Sequence, residues 1–158
     1  MTDAGAPPPA HAEVSPGRTA LAILAGWLVP GAGHAMLGRM RRGIFFFLLI
    51  GTSFTLGLAH DGRLSLYSPH DAFLTGLQVI ANVGIGPADL AARIGVYGEA
   101  AYELPEQSDP SYPQRAETFR SRQRSAESAY GTAYLWTAGL MNLLLLLDVW
   151  DIAKRRKD

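Results

Sequence analysis

Residues 130–147 read YGTAYLWTAGLMNLLLLL, a run of 18 residues without a formal charge. As an α-helix this run is about 27 Å long, close to the ~30 Å hydrocarbon core of a bilayer. Residues 43–59, GIFFFLLIGTSFTLGLA, form a second uncharged run. The mean hydropathy of the chain is only +0.07 because such runs alternate with polar segments. This distribution predicts an all-α integral membrane protein.

Composition excludes several other classes of protein. The chain has 158 residues, of which 18% are charged, below the ~25% usual for soluble domains. It has no cysteine, which excludes disulfides, thiolate nucleophiles and cysteine-ligated metals. A net charge of +0 and a pI near 6.9 give no electrostatic basis for binding nucleic acid.

The segment before these runs has a polar start and an apolar continuation. Residues 1–18 contain four prolines and predict a disordered tail. Residues 19–37 are apolar and are followed by a short turn with three arginines, so residues 19–59 predict a transmembrane helical hairpin. Pro30 predicts a bend in its first helix. We expect the arginine turn to be cytoplasmic.

A cleavable signal peptide is the competing interpretation of this segment. Arg18, the apolar residues 19–29 and the small-x-small residues 33–35 resemble the three regions of a leader. The acidic residues of the long preceding tail oppose this interpretation. The arginines of the turn also oppose it, because they would have to cross the membrane directly after cleavage.

Residues 60–98 predict a polar loop and a broken or re-entrant helix. Ser68-Pro69 is a helix start, and the glycines and proline of residues 84–87 interrupt the helix. Each half is too short to cross a bilayer, which favours three crossings plus a re-entrant segment over four crossings. The first half carries a polar stripe on one helix face, formed by Asp71, Thr75, Gln78 and Asn82.

The rest of the chain predicts an acidic linker over residues 99–112 and a helical region over residues 113–158. This region begins as a polar helix and continues without a break into a third transmembrane helix and a basic tail. Two i,i+3 charge pairs support the polar part, Glu117 with Arg120 and Arg124 with Glu127. Gly131 is the weakest point of the continuous helix.

Few polar residues of the apolar segments are candidates for a site. His34 has no second ligand at metal-binding spacing, so a structural role is favoured over proton transfer or metal binding. Asn142 predicts an interhelical hydrogen bond. Asp148 and Asp151 share a helix face near four basic residues, which favours salt-bridged anchoring over a cation site. We predict no catalytic residue, cofactor or metal, because catalytic and nucleotide-binding motifs are absent from the sequence.

Two parts of the chain carry a family resemblance. The first has the pattern proline-glycine-x-glycine-histidine followed by a glycine-arginine turn, made by Pro30, Gly31, Gly33, His34, Gly38 and Arg39. In this respect the chain resembles bacterial membrane proteins built on a two-transmembrane-helix domain. The second part, residues 130–132, 138–144 and 148–153, looks like an uncharacterised branch of such proteins. The Asp-Arg-Phe motif common in that family is absent here. The resemblance implies a membrane location and a helical hairpin, and it implies no catalytic activity.

These observations favour a non-enzymatic accessory, scaffold or assembly subunit of a membrane complex. Its expected partners are the lipid bilayer and other membrane subunits or further copies of itself. Small-residue pairs at Ala22/Gly26 and Ser53/Gly57 offer faces for close helix contact. The alternative is a small transporter or channel subunit with a polar path at the broken helix. The expected location is the inner membrane of a bacterium.

Overall fold

The computed structural model describes residues 14–103 and 108–154. Within these residues the protein is built from seven α-helices and a short 3₁₀ turn, Pro69–Asp71, that leads into the fourth of them. The helices are α1 Pro16–Leu28, α2 Ala32–Met36, α3 Met40–Ala59, α4 Ala72–Val83, α5 Pro87–Tyr97, α6 Tyr112–Arg124 and α7 Ser128–Ala153.

Helices α3 and α7 pack antiparallel at the centre. Ser53 Oγ on α3 donates a hydrogen bond to the carbonyl of Tyr134 on α7 at 3.1 Å. Nearer the middle of the pair, Ile50 packs with Ala138 and Leu145 in the apolar core. Each helix is long and apolar enough to cross a membrane. We call the end where α3 begins and α7 finishes the arginine end, and the opposite end the His60 end.

Helices α1 and α2 form a hairpin that folds back. Gly31, with φ +83°, provides the left-handed turn after Pro30. The guanidinium of Arg18 donates to the carbonyl of Met36 at 3.3 Å, so α2 returns along α1. The predicted bend at Pro30 is confirmed.

The predicted first crossing over residues 19–37 is wrong, and with it the transmembrane hairpin over residues 19–59. The 13 residues of α1 extend only about 20 Å, and the segment then returns to the arginine end. The return is possible because Gly33 lets the two backbones approach. A Cβ at Gly33 would lie 2.6 Å from the Ala22 carbonyl oxygen.

Helices α4 and α5 form a second folded-back hairpin. Their axes differ in direction by 108° at the break, where Gly86 has φ +78°. Beyond the break, the Tyr97 hydroxyl donates to the Leu64 carbonyl at 3.0 Å. The amide of Tyr67 donates to the Tyr102 carbonyl at 2.7 Å. The predicted interruption is confirmed, and the hairpin begins and ends at the His60 end.

The predicted continuous helix into the last span is wrong. Helix α6 ends at Arg124 and α7 begins at Ser128, with a turn closed by the Ser128 amide on the Ser125 carbonyl at 3.2 Å. The charges pair differently from the expected i,i+3 pattern. Arg124 pairs with Glu117 at 3.0 Å, and Glu127 reaches His60 at 3.9 Å, so the expected pair of Arg124 with Glu127 does not form across the turn.

Gly131 is a packing position and not the weak point of a helix. It lies within α7, where a Cβ would meet the His60 carbonyl oxygen at 2.5 Å and the Gly57 carbonyl oxygen at 2.8 Å. The glycines of the two predicted small-residue pairs likewise pack against α7 of the same chain. A Cβ at Gly57 would meet Leu135 at 2.7 Å, and one at Gly26 would meet Leu146 at 3.0 Å.

The predicted segment boundaries need smaller adjustments. Pro16, Gly17 and Arg18, assigned to the tail, form the first turn of α1. Helix α6 begins at Tyr112, inside the predicted acidic linker. Most of the predicted tail, four residues of the linker and the last four residues of the chain, three of them basic, lie outside the described residues.

Candidate functional site

The two folded-back hairpins come from opposite ends of the α3–α7 pair and meet at their tips. The indole of Trp27, near the tip of α1, donates to the Val83 carbonyl at 3.2 Å. Gly86, at the tip of the other hairpin, packs so closely on the Trp27 carbonyl that a Cβ would overlap it. We call this contact the hairpin junction.

Asn142 of α7 lies beside the hairpin junction. Its side chain is fully buried and donates through Nδ2 to the Gly84 carbonyl at 2.9 Å. The predicted interhelical hydrogen bond is therefore confirmed. Gly84 follows the last residue of α4, where a helix leaves carbonyl groups without intrahelical donors. Asn142 satisfies one of them and holds the break in place.

Asn82 and Gln78 divide the polar stripe of α4 into two environments. Asn82 is 3% exposed, and neither its Nδ2 nor its Oδ1 has a partner within the described residues. A buried polar group left unpaired costs about 1–3 kcal/mol. Gln78, one turn earlier, lines a cavity at the His60 end. The stripe therefore runs from exposed Asp71 at the His60 end to a buried amide near the hairpin junction.

His34 pairs with Asp148 at the arginine end. Its Nε2 lies 2.9 Å from Asp148 Oδ2, and its side chain is fully buried whereas that of Asp148 is 29% exposed. The Phe46 ring lies 5.6 Å away between centroids. The structural role predicted for His34 agrees with this geometry. The partner lies 114 positions along the chain, so no local spacing could reveal it.

The remaining residues of the proline-glycine-x-glycine-histidine stretch shape the backbone. A Cβ at Gly31 would overlap the Gly43 carbonyl of α3, and Gly38 has φ +83° in the turn that follows α2. The amide of Arg39 donates to the His34 carbonyl at 2.8 Å. Asp151 lies half-buried, about one turn after Asp148. The stretch thus closes α2 tightly between α1 and α3.

A buried ion pair on α5 was not recognised in the sequence. Arg93 Nε lies 2.8 Å from Asp89 Oδ2, and both side chains are at most 1% exposed. The Arg93 guanidinium also stacks 4.1 Å from the centroid of the Tyr102 ring and donates to the Ala101 carbonyl at 2.8 Å. The i,i+4 spacing of acid and base was the available signal.

Tyr102 completes this cluster. Its hydroxyl donates to Asp89 Oδ2 at 3.2 Å. Burial, and then the neighbouring Asp89 carboxylate, raise the pKa of Tyr102 above its usual 10.0. The cluster ties the first two turns of α5 to the loop that follows the helix. It is a structural anchor for the second hairpin, with Asp89 Oδ1 and Arg93 Nη2 left without partners within the described residues.

Metal-ligating side chains do not gather in the described part of the chain. There, no three His, Asp or Glu residues lie together in a way that could hold a metal ion.

The architecture defines a class of small all-helical protein, in which two long apolar helices pack against two hairpins folded back from opposite ends. The chain belongs to a family of unknown function, DUF6677, whose model matches residues 21–158. No curated protein and no solved structure matches the chain.

Proposed function

We propose that this protein is a non-enzymatic integral membrane protein that serves as an accessory or scaffold subunit of a membrane complex. A bilayer location is supported by the many large apolar side chains on the outer surface. Exposed examples occur on four helices: Leu21 and Leu24 on α1, Phe45 and Leu48 on α3, Phe73 and Ile80 on α4, and Leu144 and Leu147 on α7. Such a surface is stable in lipid and unfavourable in water.

The short turn of residues 38–42, which contains three arginines, supports a cytoplasmic arginine end. The folded-back first hairpin brings Arg18 to the same end as the arginine turn, and α7 finishes there at Lys154. Cytoplasmic loops are enriched in Lys and Arg. In this orientation both ends of the described chain face the cytoplasm, which fits an inner membrane protein of a bacterium.

Cysteine labelling tests this topology, because the natural chain has no cysteine. Ser15→Cys and Met40→Cys should react with an impermeant reagent only after the cells are permeabilised. Asp61→Cys, at the His60 end, should react in intact cells. Opposite labelling of Ser15→Cys and Met40→Cys would show that residues 16–36 cross the bilayer and would contradict the hairpin.

A groove between α3 and α7 carries the scaffold proposal. It encloses about 380 Å³ and is lined by Thr52, Ser53, Tyr134 and Thr137 among apolar residues. The hydroxyls of Thr52 and Thr137 make no hydrogen bond within the described residues. Hydroxyls without partners are costly in hydrocarbon, and they stabilise helix association when a second helix supplies an acceptor. We infer that a transmembrane helix of a partner subunit fills the groove.

Photo-crosslinking from single cysteines tests the groove. Thr137→Cys lies in it, and Leu147→Cys, an exposed control on the same helix, does not line it. A crosslinked partner protein at position 137 but not at 147 would support the proposal. A product with the mass of two chains would assign the groove to a second copy. Equal yields at both positions would contradict a specific interface.

The resemblance to two-transmembrane-helix proteins stays a proposal and adds support only for the membrane location. The two helices that the structure provides for crossing, α3 and α7, are not the helical hairpin over residues 19–59 that the resemblance implies. Residues 30–39 belong instead to the turn and return of the first folded-back hairpin.

A small transporter or channel subunit is the second candidate function. The unpaired amide of Asn82, close to the hairpin junction, favours it, because unsatisfied polar groups at half-helix breaks are typical of substrate sites in transporters. Flux into proteoliposomes tests it. Solute flux that is lost in a Gln78→Leu, Asn82→Leu variant would support transport, whereas no flux with a panel of ions and small polar solutes would count against it.

A further inference from the structure

A cavity at the His60 end has the lining of an anion site. It encloses about 320 Å³ between the loop of residues 63–68 and helices α4, α6 and α7. Its polar lining consists of Arg63, Ser65, Tyr67, Ser68, Gln78 and two threonines, and its apolar lining of Leu66, Phe119 and Trp136. We propose that this cavity binds the phosphate group of an anionic phosphoester, either a phospholipid headgroup or a soluble phosphate ester.

Charge is the first argument for an anion. Arg63 is the charged residue of the lining, and the lining contains no carboxylate. Within the described residues the Arg63 guanidinium makes neither an ion pair nor a hydrogen bond. Arg63 is half-buried, whereas the buried Arg93 is paired with Asp89. A guanidinium with free donors matches phosphate oxygens in geometry as well as in charge.

The hydrogen-bond inventory of the lining is the second argument. The hydroxyls of Thr75 and Thr132 are already used, because each accepts from a backbone amide and donates to a carbonyl. Ser65 Oγ accepts from the Trp136 indole at 3.2 Å, which leaves its own hydrogen free to donate. The side chains of Ser68 and Gln78 make no hydrogen bond within the described residues. The free groups of the lining therefore favour a ligand rich in acceptors.

The surroundings limit the ligand. A neighbouring cavity of about 260 Å³ shares Leu66 and Phe119 with this one and contains Glu99 and Glu103. Glu99 pairs with Arg115 at 2.8 Å, and the two cavities meet at Leu66 and Phe119. A volume of about 320 Å³ exceeds that of a phosphate alone and leaves space for a short polyol. A phosphoglycerol group has this size and chemistry.

This inference goes beyond the scaffold proposal, since the groove of α3 and α7 and this cavity have no lining residue in common. A membrane location would give the cavity two sources of phosphoester. One is the headgroup of an anionic lipid in the leaflet at the His60 end, and the other is a soluble ester in the adjacent compartment.

Native mass spectrometry of the full chain in mild detergent tests the site, with phosphatidylglycerol, phosphatidylcholine and glycerol 3-phosphate as probes. The variant is Arg63→Gln. The matched control is Arg120→Gln on α6, an exposed arginine at the same end that does not line the cavity. We expect the natural chain and the control to bind one anionic phosphoester, and Arg63→Gln to bind it about tenfold more weakly, as expected for loss of one charged contact.

Each outcome of this experiment decides a point. Retention of phosphatidylglycerol but not glycerol 3-phosphate would assign the site to a lipid headgroup, and competition by glycerol 3-phosphate would assign it to a soluble ester. Equal binding of phosphatidylcholine and phosphatidylglycerol, no binding, or equal loss in both variants would overturn the proposal. Gln78→Leu is a second variant, with unchanged thermal unfolding as the check that the chain still folds. Full binding by folded Gln78→Leu and Arg63→Gln chains would also overturn it.

Discussion

The two folded-back hairpins have the same outline but are held by different interactions. The α1–α2 hairpin is closed by backbone packing at Gly31 and Gly33, and a polar pair, His34 with Asp148, ties it to α7. The α4–α5 hairpin is anchored through α5 by Asp89 and Arg93, which are buried together. The stability of the first hairpin therefore depends mainly on close backbone packing, and that of the second depends on buried polar groups that must remain paired.

The two hairpins are held by different interactions because their second helices, α2 and α5, differ in length. Helix α2 has only five residues, too few to bury much side-chain surface, so close approach of backbones has to supply the packing. Helix α5 has 11 residues and reaches the loops of the His60 end, where residues on three segments can share hydrogen bonds. The two hairpins should accordingly respond to different substitutions.

Loss of the buried ion pair should have the largest effect. In Arg93→Gln the Asp89 carboxylate stays buried without its cation, which costs about 3–5 kcal/mol. We expect the midpoint of thermal unfolding in detergent to fall strongly and protease cleavage to appear in the loop after α5. Arg120→Gln, on the exposed surface, should change stability by less than about 0.5 kcal/mol. Similar unfolding midpoints for the two variants would show that the pair does not anchor the hairpin.

A methyl group at the centre of the first hairpin should have the next largest effect. In Gly33→Ala the added Cβ would meet the Ala22 carbonyl oxygen at 2.6 Å and Val149 at 2.8 Å. Such overpacking costs about 1–3 kcal/mol. Gly51→Ala on α3 is the matched control, because no atom lies within 4 Å of its added Cβ, and it should be neutral or stabilising by up to about 1 kcal/mol. Equal stability of the two variants would contradict the tight return of α2.

The sequence predicted the helices and breaks better than their directions. Uncharged length identified α3 and α7, and Pro30 and the glycines of residues 84–86 identified both interruptions. A proline breaks a helix wherever the chain goes next, so it cannot distinguish a kinked crossing from a return. That choice depends on whether Gly33 packs against Ala22 of the same hairpin, which is a tertiary contact.

The candidate site was predictable to a smaller extent. Asn142 is an isolated amide in an apolar helix, so a hydrogen bond to another segment was the expected solution. The partner of His34 lies far along the chain, and the i,i+4 spacing of Asp89 and Arg93 is common on exposed helices, so it does not indicate burial. Helix α6 carries no proline or glycine at its end, and its separation from α7 reflects packing that the local pattern does not encode.

The hydrogen bond between His34 and Asp148 should contribute less to stability than the glycine packing of the same hairpin. His34→Phe retains an aromatic ring beside Phe46 but removes the hydrogen bond to Asp148, which costs about 1 kcal/mol. Combining it with Asp148→Leu removes both polar partners, so the double variant should be more stable than the sum of the two single effects predicts. Strictly additive changes in the free energy of unfolding would show that the 2.9 Å contact contributes no coupling.

The smallest effect is a pH dependence at the anchor of the second hairpin. The pKa of Tyr102 is raised by burial and by the Asp89 carboxylate, to which its hydroxyl donates. A raised pKa of an acid means that the folded state favours the neutral phenol. The resulting stability is fully present below the ordinary pKa of 10.0 and is lost as the pH rises through the higher pKa of the folded state.

Tyr102→Phe keeps the ring beneath the Arg93 guanidinium but has no hydroxyl to ionise, so it should be less stable than the natural chain by up to about 1 kcal/mol at neutral pH. The difference should shrink above about pH 10, where the ionised phenol would repel Asp89. Unfolding midpoints of both chains at about pH 8 and about pH 11 measure this difference in stability. A difference that stays constant over that interval would show that ionisation of Tyr102 does not affect the stability of the fold.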